Sequence, residues 1–148
     1  MYSPEFKKLC KEIVAEGSEK LGMSMGIVSK IYNNKYEVVA VYSKTGVFVA
    51  GESFPLSDTY CKDVYSKAKT IALTEIDGIA GLQLHPLYHI HALEAYISTP
   101  IFKNDVVWGT LNFSCMRIRP NEFSRDEIKY VENSAAKISV LLSTENES

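Results

Sequence analysis

Two neighbouring stretches, residues 95–102 and 106–115, change side-chain character at every step and are joined by Lys103-Asn104-Asp105. A period of two belongs to strands with unlike faces, because successive Cβ atoms point to opposite sides of a sheet. The pair therefore predicts an antiparallel hairpin. In the first strand Tyr96, Ser98 and Pro100 share one face, while Ala95, Ile97, Thr99 and Ile101 share the other. In the second, Thr110, Asn112 and Ser114 oppose Gly109, Leu111, Phe113 and Cys115. The second set of each strand is the more apolar and suits packing against helices. The first set is small and polar, and Tyr96 and Pro100 are odd companions for open water.

The helices to cover the apolar face are at the two ends of the chain. Phe6, Leu9, Cys10, Ile13 and Gly17 recur at helical spacing. Ser3 is a candidate N-cap, Pro4 stands where a missing N–H costs nothing, and Gly22 is a plausible stop, giving a helix over 5–21. Near the other end Ser124 and Glu127 form a capping box, with Phe123 and Ile128 placed as a hydrophobic staple. Ile128, Val131, Ala135, Ile138 and Leu142 continue as a near-heptad stripe through 124–142. Both stripes are wider than one sheet contact needs, which predicts a symmetric dimer through the terminal helices. The tail, 143–148, is polar and predicted to fray.

Between the ends, residues 25–32 and 36–43 are rich in Val, Ile and Tyr and meet at Asn33-Asn34, residues that tolerate positive φ. A third strand is predicted from Val47 to Ser53. Ser57-Asp58 opens a short helix through about Lys67, and a short strand covers Ile71 to Leu73. Residues 75–93 read as loop plus a short helix near His85–His91. The expected architecture is α+β: a central antiparallel sheet of five to six strands with the terminal helices on one face. Pocket-covering helices and loops take the other face, where a pocket is the natural place for a ligand.

Composition excludes several classes of partner. The chain has 148 residues, 46% hydrophobic and 23% charged, with 16 Lys+Arg against 18 Asp+Glu, and reads as one domain with its core at about 5–142. A net charge of −2 gives no basic face for nucleic acid. There is neither a bilayer-length apolar run nor a secretory signal, so no membrane partner is expected and the cytoplasm is the expected location. Cys10, Cys61 and Cys115 are few, odd in number and widely spaced, as in a reducing compartment.

The order of elements carries a family resemblance through five stretches. They are Phe54-Pro55-Leu56-Ser57-Asp58-Thr59-Tyr60-Cys61, then His85-Pro86-Leu87-Tyr88, then Glu94-Ala95-Tyr96-Ile97-Ser98-Thr99-Pro100-Ile101, then Trp108-Gly109-Thr110-Leu111-Asn112-Phe113-Ser114, and Phe123-Ser124-Arg125-Asp126. In that order and spacing they resemble a GAF domain, of the kind at the sensory ends of bacterial histidine kinases and related signalling proteins. The resemblance implies a sensory or dimerisation module that holds a small molecule under residues 57–93 and relays through its terminal helices to an output domain.

The resemblance places Tyr60, Cys61, His85, Tyr88, His89, Tyr96, Ser98, Thr110, Asn112 and Ser114 around the ligand. His85 and His89 share a helix face at i,i+4, with His91 close by. This cluster could ligate a metal or haem, hydrogen-bond an organic ligand, or simply be polar lid residues. No carboxylate or thiolate lies near enough in sequence to complete a zinc site, so no metal site is assigned. Cys61, near a helix start, is either a reactive thiol or inertly buried, and burial is the commoner outcome. Tyr60, Tyr88 and Trp108 could stack on a planar ligand or pack in the core.

In phytochrome-type relatives a cysteine precedes the histidine that resembles His85. Here Leu84 does, which argues against covalent bilin attachment by that route. Haem or a non-covalent chromophore stays open, and the cofactor is unassigned. No P-loop, HExxH or G-x-S-x-G motif is present, and no catalytic residue is assigned. Two alternatives accompany the sensor reading. One is a ligand-free structural dimerisation module. The other is an enzyme resembling the free-methionine sulfoxide reductases, which use pocket cysteines and acidic strand residues where this chain has Asn112 and Ser114.

Overall fold

The computed structural model describes residues 2–43, 50–55, 64–65, 67–73, 95–115 and 119–145. Helix α1, Pro4–Lys20, leads into strands β1, Met25–Tyr32, and β2, Lys35–Ser43. Strands β3, Ser53–Pro55, and β4, Ile71–Leu73, are short. Strands β5, Ala95–Lys103, and β6, Val106–Cys115, precede the closing helix α2, Arg125–Leu142. The six strands form one antiparallel sheet in the order β3-β2-β1-β6-β5-β4.

Local chemistry explains the ends of these elements. Ser3 Oγ accepts the Phe6 N–H at 3.1 Å and caps α1. Gly22, at φ +67°, terminates it: the Gly22 N–H donates to Glu19 O and the Met23 N–H to Ser18 O, a Schellman arrangement. The capping box at α2 forms in full, with Glu127 N–H donating to Ser124 Oγ at 3.0 Å and Ser124 N–H to Glu127 Oε1 at 2.8 Å. Both long hairpins close through two residues of positive φ, Asn33 and Asn34 in one, Asn104 and Asp105 in the other.

Of the strand expected from Val47 to Ser53, residues 47–49 lie outside the described residues, and residues 50–52 are turn and irregular rather than strand. Among the described residues, pairing with β2 starts only at Ser53, which faces Glu37. Gly51 turns at φ +97°, its N–H bonded to Val38 O, and Glu52 O accepts the Val38 N–H; this turn leads into Ser53–Pro55. Ile71–Leu73 forms the strand expected there. Of the short helix expected from Ser57-Asp58, only Val64, Tyr65 and Lys67 are described, and they are helical. The helix expected near His85–His91 lies outside the described residues.

The core lies between the helices and one face of the sheet. Phe6, Cys10, Ile13 and Val14 of α1 and Val131, Ala135, Ile138 and Leu142 of α2 cluster with Ala95, Ile97, Ile101, Leu111, Phe113 and Cys115. Contact with the sheet and with each other uses both helical stripes. The outer face of α2 exposes Lys129, Glu132, Asn133 and Lys137, and Val140 stands out at 72% exposure. No helix among the described residues is long and apolar enough to cross a membrane.

Phe113 is the tightest fit in this layer. A Cβ on Gly17 of α1 would come within 2.6 Å of Phe113 Cε1, and a Cβ on Gly26 of β1 within 2.9 Å of Cδ1. Both are closer than real side chains pack, so the ring occupies a notch made by two missing methyl groups. The outer rim is held by polar links. Ser3 N–H and Oγ–H donate to the two carboxylate oxygens of Glu145 at 2.7 and 2.8 Å, joining the start of α1 to the residues after α2. Glu145 thus has a specific partner within a stretch whose composition predicts fraying.

Two outcomes follow. Alanine is the better helix former by about 1 kcal/mol, yet Gly17→Ala is expected to destabilise by about 1–3 kcal/mol in urea melts because the methyl would strike Phe113. A stabilised variant would refute the close fit. The second concerns Glu127. Partial burial raises its pKa, but hydrogen bonds from Ser124 and the Arg119 guanidinium at 3.0 Å outweigh this and hold it below the ordinary 4.5. A carboxylate depressed in the folded state stabilises above the unfolded value, and that contribution is lost as pH falls through the folded one. The stability advantage of wild type over Glu127→Gln should therefore shrink in melts as pH falls through 4.5 and the lower folded-state value.

Candidate polar ligand face

Strand alternation turns a second set of residues away from the helices. Tyr96 and Ser98 of β5 and Thr110, Asn112 and Ser114 of β6 are all buried on that face. They pair across the strands, Tyr96 with Ser114, Ser98 with Asn112, and Pro100 with Thr110. Strand β1 continues the rows, with Ser29 beside Thr110, Ile27 beside Asn112 and Met25 beside Ser114. The bulge between Val28 and Ser29 shifts the β2 register so that Val38 lies beside Ser29 and Tyr36 beside Ile31.

The polar atoms on this face are organised. Ser29 Oγ and Thr110 Oγ1 are 2.7 Å apart, and the Thr110 N–H also donates to Ser29 Oγ at 3.3 Å. Asn112 Nδ2 donates to Tyr36 Oη at 3.0 Å, reaching from β6 to β2 across β1. Ser114 differs: its hydroxyl is buried with no hydrogen-bond partner among the described residues. A buried hydroxyl without a partner costs roughly 1–3 kcal/mol, and such atoms are rare in folded proteins. The described polar groups here are hydroxyls and amides, suited to orienting a ligand by hydrogen bonds and without a charge to neutralise one.

Tyr36 and Ser29 belong to this face although the family motifs do not include them. A serine at every-second-residue spacing between Ile27 and Ile31, in a strand whose first five residues are all buried, was the available signal. Trp108 lies on the opposite side. Ile101 pairs with Gly109 and Phe102 with Val107, so Trp108 is the extra residue of a β-bulge. It packs edge-on against Tyr2 and Phe6, each 6.2 Å away between ring centroids, in the helical core. Tyr60, Cys61, His85, Tyr88 and His89, like His91, lie outside the described residues. Among the described residues no group of three His, Cys, Asp or Glu could hold a metal ion.

The described thiols take no part in this face. Cys10 and Cys115 are buried in the helix-side core. Burial, reinforced by the Glu145 charge, pushes the Cys10 thiol up to about 12, so the reactive thiolate is scarce at neutral pH.

Known proteins place this geometry in a family. The GAF domain family profile matches residues 5–142. The chain is similar in structure to the GAF domain of PixJ from Thermosynechococcus elongatus, crystallised in its blue-light-absorbing form. Identity is 21% over 94% of this chain and 85% of that one, with a TM-score of 0.74. It is similar to the phycocyanobilin-bound GAF domain of a cyanobacterial phytochrome, at 16% identity over 93% and 84% of the chains and a TM-score of 0.75. It is also similar to the GAF domain of an Acinetobacter phosphoenolpyruvate-protein phosphotransferase, at 13% identity over 93% and 82% and a TM-score of 0.76. No curated protein matches the chain.

The paired hydroxyls make a clean energetic test. Ser29→Ala and Thr110→Val should each cost about 1–3 kcal/mol because each leaves its partner short of a bond, whereas the double variant should cost less than their sum. Urea denaturation of the four proteins reads the coupling, and strict additivity would mean that the two hydroxyls do not interact.

Proposed function

Since the chain belongs to the GAF domain family, we propose that it is a regulatory, small-molecule-sensing domain of a signal-transduction protein. A small organic ligand sits between the polar sheet face and residues 57–93. Tyr96, Ser98, Thr110, Asn112 and Ser114 contribute from the sheet, and Tyr60, Cys61, His85, Tyr88 and His89 from the covering segment. The observation that carries this reading is the buried Ser114 hydroxyl without a partner among the described residues, set beside the buried row Ser98, Asn112, Thr110. A face built only for packing would be apolar, because burying hydroxyls adds a desolvation cost and gains no better packing. A ligand that completes those hydrogen bonds removes the penalty.

Ligand affinity that differs between two arrangements of α1 and α2 would bias an attached output, such as a histidine kinase in a two-component system. A cytoplasmic homodimer through the terminal helices is part of this reading, with Val140 near the end of α2 as an exposed apolar contributor. The bilin carried by the phytochrome domain is one kind of ligand a face of this sort holds. Leu84 before His85 supports a ligand held without a thioether at that position. Cys10 and Cys115 are buried in the helical core, away from the polar face, which favours binding over thiol redox turnover there.

Native mass spectrometry of the freshly purified chain is the test. An excess mass released on denaturation is expected, with occupancy falling roughly tenfold in Asn112→Ala as one buried hydrogen bond to the ligand is lost. A bare protein mass, with no thermal stabilisation by any member of a metabolite library, would sink the ligand and leave the structural dimerisation module.

A further inference from the structure

A polar chain links β5 to α2 at the edge of the helix layer. Thr99 stands on the helix side of β5 between Ile97 and Ile101, and it is 3% exposed. Its hydroxyl lies 2.7 Å from Thr70 Oγ1, and Thr70 Oγ1–H donates to Glu132 Oε2 on α2 at 2.6 Å. The direction of the chain is fixed by chemistry. A threonine hydroxyl has one proton, and that of Thr70 goes to the carboxylate, so Thr70 accepts from Thr99. The order is Thr99, Thr70, Glu132, and it ends in a charge-assisted bond.

The placement of these residues ties the two sheet faces together. Thr70 immediately precedes β4, and Ile71 of β4 pairs with Ser98 of β5. Ser98 belongs to the polar face, while Thr99, the next residue, begins the chain to α2. A displacement of β5 or β4 on one side of the sheet is thus a displacement of Thr99 or Thr70 on the other. Strand β4 is an edge strand held to its neighbour by three paired residues, so, like β3 at the other edge, it is less firmly held than the central strands. Glu132 is exposed and Thr70 half-buried, so water can replace their bond at little cost. A link that is short, directional and cheap to break is suited to switching.

We infer that Thr70 is a positioning residue through which occupation of the polar face biases α2. With the face in one state the edge strand holds Thr70 on Glu132 and fixes the middle of α2. When contacts to Ser98 draw β5 and β4 toward the ligand side, Thr70 leaves Glu132 and that turn of the helix is released. This inference rests on reading the polar face as a ligand site, but its test needs no ligand.

Hydrogen exchange of the full 148-residue chain, followed by mass spectrometry, compares wild type with Thr70→Val, Glu132→Ala and the double variant. Each single change should speed exchange roughly three- to tenfold in peptides from both β4 and the middle of α2, with β1 peptides unchanged as the internal reference. The double variant should match the singles, because all three break the same link. Thr70→Ser keeps the hydroxyl and should behave as wild type. Ser98→Ala should alter α2 exchange in the wild-type background and not in Thr70→Val.

Any of three results overturns the proposal: acceleration confined to the mutated element, equal acceleration in β1, or a Thr70→Ser variant that behaves like Thr70→Val. A Ser98→Ala effect on α2 that persists in Thr70→Val also overturns it, since the signal would then travel elsewhere. If the purified chain retains no small molecule while these exchange results hold, the ligand reading fails and the link stands. If a molecule is retained while the exchange results fail, the converse is true.

Discussion

The position of Phe113 governs the rest of the arrangement. Its ring enters a notch between Gly17 of α1 and Gly26 of β1, where no other residue would leave room. That contact fixes three elements at once: how closely α1 approaches the sheet, the register of β1 against β6, and which face of β6 looks toward the helices. Because side chains alternate, placing Phe113 under α1 forces Asn112 and Ser114 to the other side. A slip of one residue would bury Asn112 in the apolar layer and turn Phe113 out, a double penalty that makes the register robust. The polar face is therefore a consequence of an apolar lock one residue away.

The two faces meet different physical demands. On the helix side, apolar side chains fill the layer and each gains by leaving water. On the other side, buried hydroxyls and amides gain only if their hydrogen bonds are made. Ser29 and Thr110 satisfy one another, and Asn112 reaches Tyr36. Ser114 finds no partner among the described residues, and one unmade bond beside a satisfied network marks a specific place rather than a general looseness. Buried polar groups in this state strongly favour whatever supplies the missing partner.

Local rules made much of this legible. The Ser124–Glu127 capping box, the Ser3 cap, the Gly22 stop and the two Asn-containing turns are each decided within a few residues, so the sequence reports them directly. The faces of β5 and β6 were legible for a similar reason, since alternation needs no knowledge of neighbours. What escaped was set by distant partners. The bulge that turns Trp108 into the helical core depends on the pairing of Ile101 with Gly109, and the turn into β3 on bonds from Gly51 and Glu52 to Val38. Tyr36 was unreadable as a site residue because its partner Asn112 is two strands away. The grip of Glu145 on Ser3 joins residues 142 positions apart, a relation no local pattern encodes.

These contacts divide by strength as well as by range. The centre of the helix layer is held by close-packed apolar groups that have no alternative in water, so it resists deformation. Its perimeter is held by hydrogen bonds at or near the surface, Glu145 to Ser3 and Glu132 to Thr70, whose oxygens water can satisfy instead. A sensory domain needs this division. If the centre yielded, a change at the polar face would be absorbed as local repacking and nothing would reach the helices. If the perimeter were as firm as the centre, the energy available from one small ligand would move nothing. With a rigid middle and an exchangeable rim, the sensor proposed above would convert a shift of the sheet into a change in which polar rim contacts are made, at a cost that a few ligand hydrogen bonds could meet.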